Sequence, residues 1–210
     1  IQALDSPWEL SPEPIPLRVM ELSPNSDPAF RTPSRLKVKT GRGEYFINME
    51  PERPFLISLQ ADLRHHDPDL ILTDHGDGWL IPKLAGIEIN RDRERGTQTK
   101  KANSYFAYGQ TIHRGAQSHL FGRWHIDRRN AMMFNEYGLE GVMEQSRVTG
   151  IGVQEMARKS PGAGITAMQM LTAMRRGVMI PLHKQQAEGS KTLAGLIRAD
   201  KGGLIYQPTI

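Results

Sequence analysis

The stretch Asp67-Pro68-Asp69-Leu70-Ile71-Leu72-Thr73 marks the end of one element and the start of the next. A residue that precedes a proline avoids the helical conformation, so a helix must end near Asp67. The run from Leu70 to Thr73 is short and apolar, which is typical of a strand buried on both faces. The stretch therefore predicts a helix followed by a buried strand, as found where helices cover a sheet.

The residues before this stretch predict strands and then a helix. Leu17–Leu22 alternates between apolar and polar residues, like a half-buried strand. Arg35–Lys39 and Glu44–Met49 flank the glycine-rich turn Gly41-Arg42-Gly43, which predicts a hairpin. Pro51–His66 places its large apolar residues at helical spacing and predicts the helix that ends at Asp67.

The residues after this stretch predict further strands and helices. Strands are predicted at Ser104–Tyr108 and Gly122–Asp127, and helices at Asn135–Thr149, with Gly150 as a C-terminal cap, and at Gly164–Arg176. Residues 74–78 and 90–104 predict loops, and residues 79–89 fit either a helix or a strand. The order of elements predicts a mixed α/β fold, with a mixed sheet and helices on its faces.

Composition limits the classes of function. The chain has 210 residues and no cysteine, which excludes disulfides and thiolate metal sites. No apolar run is long enough to cross a bilayer, so we expect a cytoplasmic protein without a membrane partner. The net charge of +4 permits a polyanionic partner.

The second half carries an ordered series of short motifs. They are Phe121–Asp127, Tyr137–Val142, Arg158–Gly162, Met168-Gln169, Gly177–Pro181 and Ala199–Pro208. In this order and spacing they resemble family B DNA polymerases, from the end of the exonuclease domain into the palm. The resemblance extends over residues 17–210 and is carried mainly from Ser104 onward. The form Ser160-Pro161-Gly162 is similar to the archaeal and bacterial subgroup with degenerate proofreading motifs.

The resemblance implies a domain organisation. An extended lead-in over 1–16 would precede an RNase H-like, exonuclease-type domain over 17–150, and 151–210 would form linker helices and the start of the palm. The run Gly202–Pro208 would lead into the first catalytic palm motif. Because the sequence starts at Ile1 without a methionine, we expect a chain cut from a longer one.

The resemblance also implies what the parent protein does. It would be a DNA-directed DNA polymerase of replication or repair, catalysing nucleotidyl transfer with Mg²⁺ held by palm aspartates outside this chain. The expected partners are the DNA template and primer and the palm, fingers and thumb of the same polymerase. No cofactor is expected in this chain itself.

A proofreading site holds two divalent metal ions between carboxylates, and the ions generate hydroxide and stabilise the attacking and leaving oxygens. The family supplies these carboxylates from three motifs. In the first, the carboxylate positions fall at Ser23 and Asn25. In the second, the asparagine position falls at His75 and the aspartate position at Leu80. None of these residues carries a carboxylate.

The third motif is Tyr-x-x-x-Asp on a helix. Tyr137 is present, but the aspartate position falls at Gly141. Glu140 is one residue away, which turns it by about 100° around the helix axis. We therefore expect no catalytic residue and no metal site in this chain.

Basic residues in the second half are the predicted nucleic-acid contacts, because Lys and Arg can neutralise phosphates. By the resemblance, Arg158, Lys159 and Ser160 lie in the loop between the exonuclease-type domain and the palm, near the template path. Arg175, Arg176 and Lys184 follow within two helical elements.

Two alternatives stay open. The acidic residues Asp67, Asp69, Asp74 and Asp77, together with His75, could form a relocated metal site of an active nuclease. The chain could also be a freestanding nucleic-acid-binding module that shares the fold. A continuation of the gene after Ile210 into an Asp-x-x-Ser-Leu-Tyr-Pro-like run would distinguish a polymerase from such a module.

Overall fold

The structure, a computed structural model, describes residues 15–92, 94–107 and 109–180. The chain divides into two compact units, Ile1–Thr172 and Ala173–Ile210. Positions 1–14 of the predicted lead-in lie outside the described residues, and so does the run Gly202–Pro208, which the resemblance places before the first palm motif. Among the helices within the described ranges, none has the length and apolar character needed to cross a bilayer.

The strands lie in the first part of the described chain, and most of the helical residues follow them. The strands are β1 (Val19–Pro24), β2 (Arg35–Thr40), β3 (Gly43–Asn48), β4 (Leu70–Thr73), β5 (Gln98–Lys100), β6 (Asn103–Ala107), β7 (Gln110–Arg114), β8 (Gln117–His119) and β9 (Trp124–Asp127). The helices are α1 (Glu52–His66), α2 (Ile81–Lys83), α3 (Met132–Thr149), α4 (Val153–Met156) and α5 (Pro161–Arg175). A π-helical turn at Gly76–Leu80 and a 3₁₀ turn at Arg128–Asn130 complete the set.

A five-stranded mixed sheet in the order β3-β2-β1-β4-β9 organises the first unit. β1 pairs antiparallel with β2 and parallel with β4, and β4 pairs parallel with β9. β2 and β3 form the hairpin that the glycine-rich turn predicts. The mixed α/β fold class is therefore confirmed.

One face of this sheet packs against α1. Phe55, Leu59 and Leu63 recur at helical spacing and are buried on the same side of the helix. They belong to the same hydrophobic cluster as Met20 and Leu22 of β1. Each such side chain stabilises the fold by roughly 1.5–3 kcal/mol through the apolar surface it removes from water.

The opposite face carries a second cluster. Leu70 and Leu72 of β4 and Ile126 of β9 alternate with the residues of the first face and pack against α3 and α4. Because β1, β4 and β9 run parallel, their carboxyl ends meet at one edge, the carboxyl edge. Side chains that follow these strands are thereby brought together.

Two segments differ from the sequence prediction. The predicted loop at 74–78 and the ambiguous segment after it form the π-helical turn and the short α2. The predicted loop at 90–104 contains β5 and the first residues of β6. Both strands are short and polar, so they lack the apolar alternation by which a strand is recognised.

Helix α3 starts earlier than predicted and is interrupted. Gly138 adopts φ 65° and ψ −172°, which is not helical, and kinks α3 between its first and second parts. The predicted C-terminal cap at Gly150 is confirmed, since this residue is left-handed and its N–H donates to the Ser146 carbonyl.

Candidate functional site

A single guanidinium connects the strands at the carboxyl edge. Arg128 follows β9, and its Nε and Nη2 donate to the Asp74 carboxylate at 3.0 and 2.9 Å. Its Nη1 donates to Glu21 Oε2 at 2.8 Å, and its Nη2 also donates to Ser23 Oγ at 3.0 Å. We call these four residues the carboxyl-edge cluster. One cation thus ties the end of β1 to the ends of β4 and β9.

The hydrogen bonds of the carboxyl-edge cluster favour the charged forms of Glu21, Asp74 and Arg128. Burial raises the pKa of Asp74, but hydrogen bonds from Arg128 and Ser23 outweigh burial, and the net pKa is lowered. For Glu21, burial likewise raises the pKa, and hydrogen bonds from Lys39 and Arg128 reverse the shift. Burial lowers the pKa of Arg128, and its two carboxylate partners raise it above the usual value. The guanidinium is therefore a permanent cation at this edge.

A second network lies behind the cluster, around Asp77. Arg158 donates through Nε and Nη2 to the two Asp77 oxygens at 3.0 and 2.8 Å, and both side chains are 2% exposed. The Ser118 N–H and the Asn130 amide donate to the same carboxylate at 2.8 and 2.9 Å. Burial raises the pKa of Asp77, and the hydrogen bonds and charge of Arg158 lower it by more. This bidentate pair joins the segment that follows α4 to the π-helical turn.

His125 and Asp127 complete the buried network. His125 Nδ1 lies 2.7 Å from the Ser118 carbonyl, which can only accept, so Nδ1 carries the hydrogen. Nε2 then accepts from the Thr73 hydroxyl at 2.8 Å. Burial lowers the pKa of His125 to about 4, so the ring is neutral at neutral pH. Asp127 Oδ2 accepts from the Asp77 N–H at 2.8 Å, and burial raises the pKa of Asp127.

The two positions of the first predicted motif have different surroundings. Ser23 donates to Asp74 Oδ2 at 2.8 Å and belongs to the carboxyl-edge cluster. Asn25 lies beyond β1, where its Oδ1 accepts from the N–H groups of Ser34 and Arg35 at 3.0 and 3.2 Å. Asn25 therefore closes the loop before β2.

The two positions of the second motif are also engaged in the fold. Leu80 is fully buried within the cluster on the α1 face of the sheet. His75 adopts a left-handed conformation with φ 60° and starts the π-helical turn. Leu80 is therefore a residue of the hydrophobic core.

The kink in α3 affects the third motif. Tyr137 is 55% exposed, and Gly138 beside it is non-helical. A Cβ at Gly141 would lie 2.5 Å from the Tyr137 Cβ, a distance that real Cβ atoms do not reach. In this conformation, position 141 has no room for a side chain.

The acidic residues near β4 do not converge. Asp67 and Asp69 precede the strand, and Arg91 donates to them at 2.6 and 2.8 Å. Asp74 and Asp77 follow the strand, and a rise of about 3.3 Å per residue puts Asp69 and Asp74 roughly 16 Å apart. Each of these carboxylates has an arginine partner.

The two-metal site that the polymerase resemblance implies does not fit the donors at the carboxyl edge. Ser23 and Leu80 provide no carboxylate, and Arg128 already occupies the space between Glu21 and Asp74. Over residues 15–92, 94–107 and 109–180, no three His, Asp or Glu side chains are grouped so that they could hold a metal ion. The edge is therefore organised around a guanidinium.

The predicted nucleic-acid contacts separate into buried and exposed residues. The Arg158 side chain is 2% exposed and is enclosed in its pair with Asp77. Lys159 is 29% exposed and lies 3.1 Å from Glu155, and Ser160 is exposed. In the second unit, Arg175 and Arg176 are exposed. Lys184 lies outside the described residues.

Sequence reasoning missed Arg128 and a small basic cleft. The cleft has a volume of about 150 Å³, and its charged lining includes Lys100, Lys101, Arg114, Lys159 and Glu155. A signal was present, because the sequence from Arg95 to Ile126 contains no Asp or Glu. No comparable signal marks Arg128, which reaches Glu21 across 107 positions of sequence.

Comparison with known proteins identifies the fold. No protein-family model and no curated protein sequence matches the chain. Among solved structures, the chain is similar to the family B DNA polymerase from the hyperthermophilic archaeon Pyrobaculum calidifontis, with a TM-score of 0.54 and 18% sequence identity. The similarity covers 85% of this chain and 32% of the polymerase chain, so this chain spans about a third of that protein. The chain therefore shares its mixed α/β fold with part of a family B DNA polymerase.

Proposed function

We propose that this chain is part of a family B DNA polymerase and contains an exonuclease-like domain that has lost nuclease activity. The domain would brace the palm and guide the template or primer strand. The observation that carries the proposal is the carboxyl-edge cluster, where Arg128 takes up the carboxylates of Glu21 and Asp74. The likeness in fold to an archaeal family B polymerase supports the polymerase context.

The wider role follows from the same context. The parent protein would transfer nucleotides to a primer, with Mg²⁺ held by aspartates of its palm, and would act in the cell in replication or repair. The degenerate motif positions Ser23, Asn25, Leu80 and Gly141 support a relationship to the subgroup without proofreading. The gene sequence after Ile210 tests this context, since a palm motif there supports a polymerase and a stop codon favours a freestanding module.

A nuclease assay tests the loss of activity. The chain is incubated with labelled single-stranded DNA and either Mg²⁺ or Mn²⁺, and we expect no metal-dependent release of nucleotides. Release that disappears in Asp74→Ala but persists in Asp69→Ala would show an active nuclease with relocated ligands. Asp69 is the matched control because it lies at the other end of β4 and is paired with arginines as well.

A binding assay tests the guiding role. We expect Arg175→Ala/Arg176→Ala to weaken binding to primer–template DNA and to lower the salt slope by roughly 0.9 for each lost phosphate contact. The control Arg53→Ala/Arg64→Ala removes two exposed arginines of α1 and should leave both quantities unchanged. Equal affinity and slope in the Arg175/Arg176 variant and the unmodified chain would remove these residues from the proposal.

A further inference from the structure

A cleft of about 510 Å³ lies at the amino ends of the parallel strands, at the opposite end of β4 from the carboxyl edge. We call it the amino-end cleft. Its volume falls within the roughly 300–1,000 Å³ of small-molecule sites. Residues that precede or begin the parallel strands line it, among them Leu17, Asp69, Phe121, Gly122, Arg123 and Trp124.

Three guanidinium groups meet two carboxylates beside this cleft. Arg18 donates to Asp69 through Nε and Nη2, at 3.1 Å each. Arg91 donates to Asp67 at 2.6 Å and to Asp69 at 2.8 Å. The hydrogen bond from Arg91 lowers the pKa of Asp67, and the one from Arg18 lowers the pKa of Asp69, so both carboxylates are ionised at neutral pH. With Arg123 as the third cation, the group carries one surplus positive charge.

Arg123 has the weakest contacts of the three arginines. Its side chain is 6% exposed, and its Nη2 lies 3.5 Å from Asp67 Oδ1. Over the described residues, its Nε and Nη1 have no hydrogen-bond partner. Burial and the charge of Arg91 lower the pKa of Arg123, whereas the two close carboxylates of Arg128 raise the pKa of that residue. A cation withdrawn from water with so little compensation costs free energy in the free protein.

The surplus charge and the lining together define the ligand that matches the cleft. Water can accept from the two N–H groups, but it leaves the charge uncompensated, whereas an anion offsets it. A monoanion suits a single surplus charge better than a phosphate monoester, which carries about −1.5 to −2 at pH 7. The planar guanidinium matches the geometry of a carboxylate. The apolar part of the lining includes Leu17, Leu120, Phe121 and Trp124.

The turn that carries Arg123 is held in place from the neighbouring segment. The Phe121 N–H donates to Asn90 Oδ1 at 2.9 Å, and the Phe121 carbonyl accepts from the Arg91 N–H at 3.1 Å. A Cβ at Gly122 would lie 2.7 Å from the Arg91 Cβ, so glycine permits this close approach. The position of the guanidinium is therefore set by the fold before any ligand binds.

We propose that the amino-end cleft binds a small organic monocarboxylate with an apolar or aromatic body, and that Arg123 donates to its carboxylate. The inference goes beyond the proposed function and does not depend on it. It uses no residue of the carboxyl-edge cluster and neither Arg175 nor Arg176, so the nuclease and DNA-binding assays do not test it.

A titration with 3-phenylpropionate tests the site in the 210-residue chain. The indole N–H signal of Trp124 is followed by NMR, with Trp79, which packs against the core on the α1 face, as the internal reference. We expect a saturable shift at Trp124 alone. Loss of a hydrogen bond to a charged group should weaken binding roughly 10- to 150-fold in Arg123→Met. Arg53→Met, at an exposed arginine of α1, should bind normally.

The thermal midpoint without ligand separates binding from a structural role. Asp67 keeps Arg18 and Arg91 as partners in Arg123→Met, so no carboxylate is left unpaired. Because the variant replaces a poorly compensated buried cation with an apolar side chain, we expect a midpoint equal to or above that of the unmodified chain. A clearly lower midpoint would show that Arg123 serves the fold and would overturn the assignment.

The choice of probe tests the ligand class on the unmodified chain, independently of any variant. The uncharged 3-phenylpropanol should bind roughly 10- to 150-fold more weakly than 3-phenylpropionate. Phenyl phosphate and inorganic phosphate should also bind more weakly. Equal binding of the alcohol would identify an apolar pocket, and tighter binding of either phosphate would identify a phosphate site. Each of these results, or the lack of a saturable Trp124 shift, would contradict the inference.

Discussion

Arg128 connects three side chains at the carboxyl edge through a single guanidinium group. It offsets the charges of Glu21 and Asp74 and donates to Ser23 with one planar group. Its side chain is 28% exposed, so its charge is less screened than that of a surface lysine. Removing one partner of such a cluster leaves the others withdrawn from water without compensation.

We therefore expect Arg128→Met to destabilise the chain by roughly 1–3 kcal/mol at neutral pH, measured by urea unfolding. The pKa values of Glu21 and Asp74 are lowered in the folded state, so their contribution is present above their unfolded values near pH 4 and is lost as the pH falls. The difference between the variant and the unmodified chain should shrink in acid. Arg129→Met, at an exposed neighbour, is the control, and an equal loss there would contradict the assignment.

His125 makes the free energy of unfolding depend on pH between about 4 and 6.5. Its pKa falls from 6.5 in the unfolded chain to about 4 in the folded one, so the unfolded state binds more protons between these values. The free energy of unfolding therefore contains the full contribution of the neutral ring above pH 6.5. It falls by about 3 kcal/mol in total as the pH is lowered to about 4 and below.

His125→Gln should flatten this part of the stability–pH curve, as measured by urea unfolding from pH 7 to pH 4. Asp127 acts in the opposite direction because its folded pKa is raised, but it is common to both proteins and cancels in the comparison. His65→Gln, on the exposed surface of α1, is the control. A curve of unchanged slope in His125→Gln would show that the ring is not the titrating group.

At the scale of elements, the kink in α3 depends on one residue. Gly138 has φ 65° and ψ −172°, a conformation that is essentially restricted to glycine and that costs a residue with a Cβ roughly 1–3 kcal/mol. Gly138→Ala should therefore lower the thermal midpoint, whereas Gly162→Ala in the first turn of α5 should not, because a Cβ there meets no atom within 4 Å. Equal midpoints for both variants would mean that the kink is not required.

The π-helical turn after β4 also depends on one side chain. Leu80 is fully buried, so Leu80→Asp would place a carboxylate in the core, and we expect a loss of more than about 4 kcal/mol in urea unfolding. Leu80→Met keeps the volume and should cost less than about 1.5 kcal/mol. A stable Leu80→Asp variant would indicate that this turn can still rearrange to present a ligand.

The elements differ in how far they could be predicted from the sequence. β4 and α1 were predictable because proline, apolar runs and helical spacing act locally, and their observed bounds agree with the predictions to within a residue. β7 was not, since Gln110–Arg114 has one apolar residue and pairs through backbone groups that the pattern does not show. The buried pair of Arg158 with Asp77 could not be predicted either, because charge alone carries no information on burial.

At the scale of the whole molecule, two regions show different kinds of electrostatics. At the carboxyl edge Arg128 pairs with Glu21 and Asp74, and in the network around Asp77 that carboxylate pairs with Arg158. In the basic cleft, Lys100 and Lys159 share one carboxylate, that of Glu155, at 3.9 and 3.1 Å. The contacts at the edge join residues far apart in the chain, so they follow from the topology of the sheet and could not be predicted from local sequence.

The cation of the carboxyl edge is covalently attached to the chain. A domain held together by a bound ion gains stability in proportion to the logarithm of the free ion concentration, and a chelator unfolds it. The stabilisation by Arg128 does not depend on an ion concentration, because the guanidinium is part of the chain and cannot dissociate from it. We expect the thermal midpoint to be the same in excess Mg²⁺ and in a chelating buffer. The carboxyl edge would then be able to form once the chain has been synthesised beyond Arg128, at any concentration of metal ions in the cell.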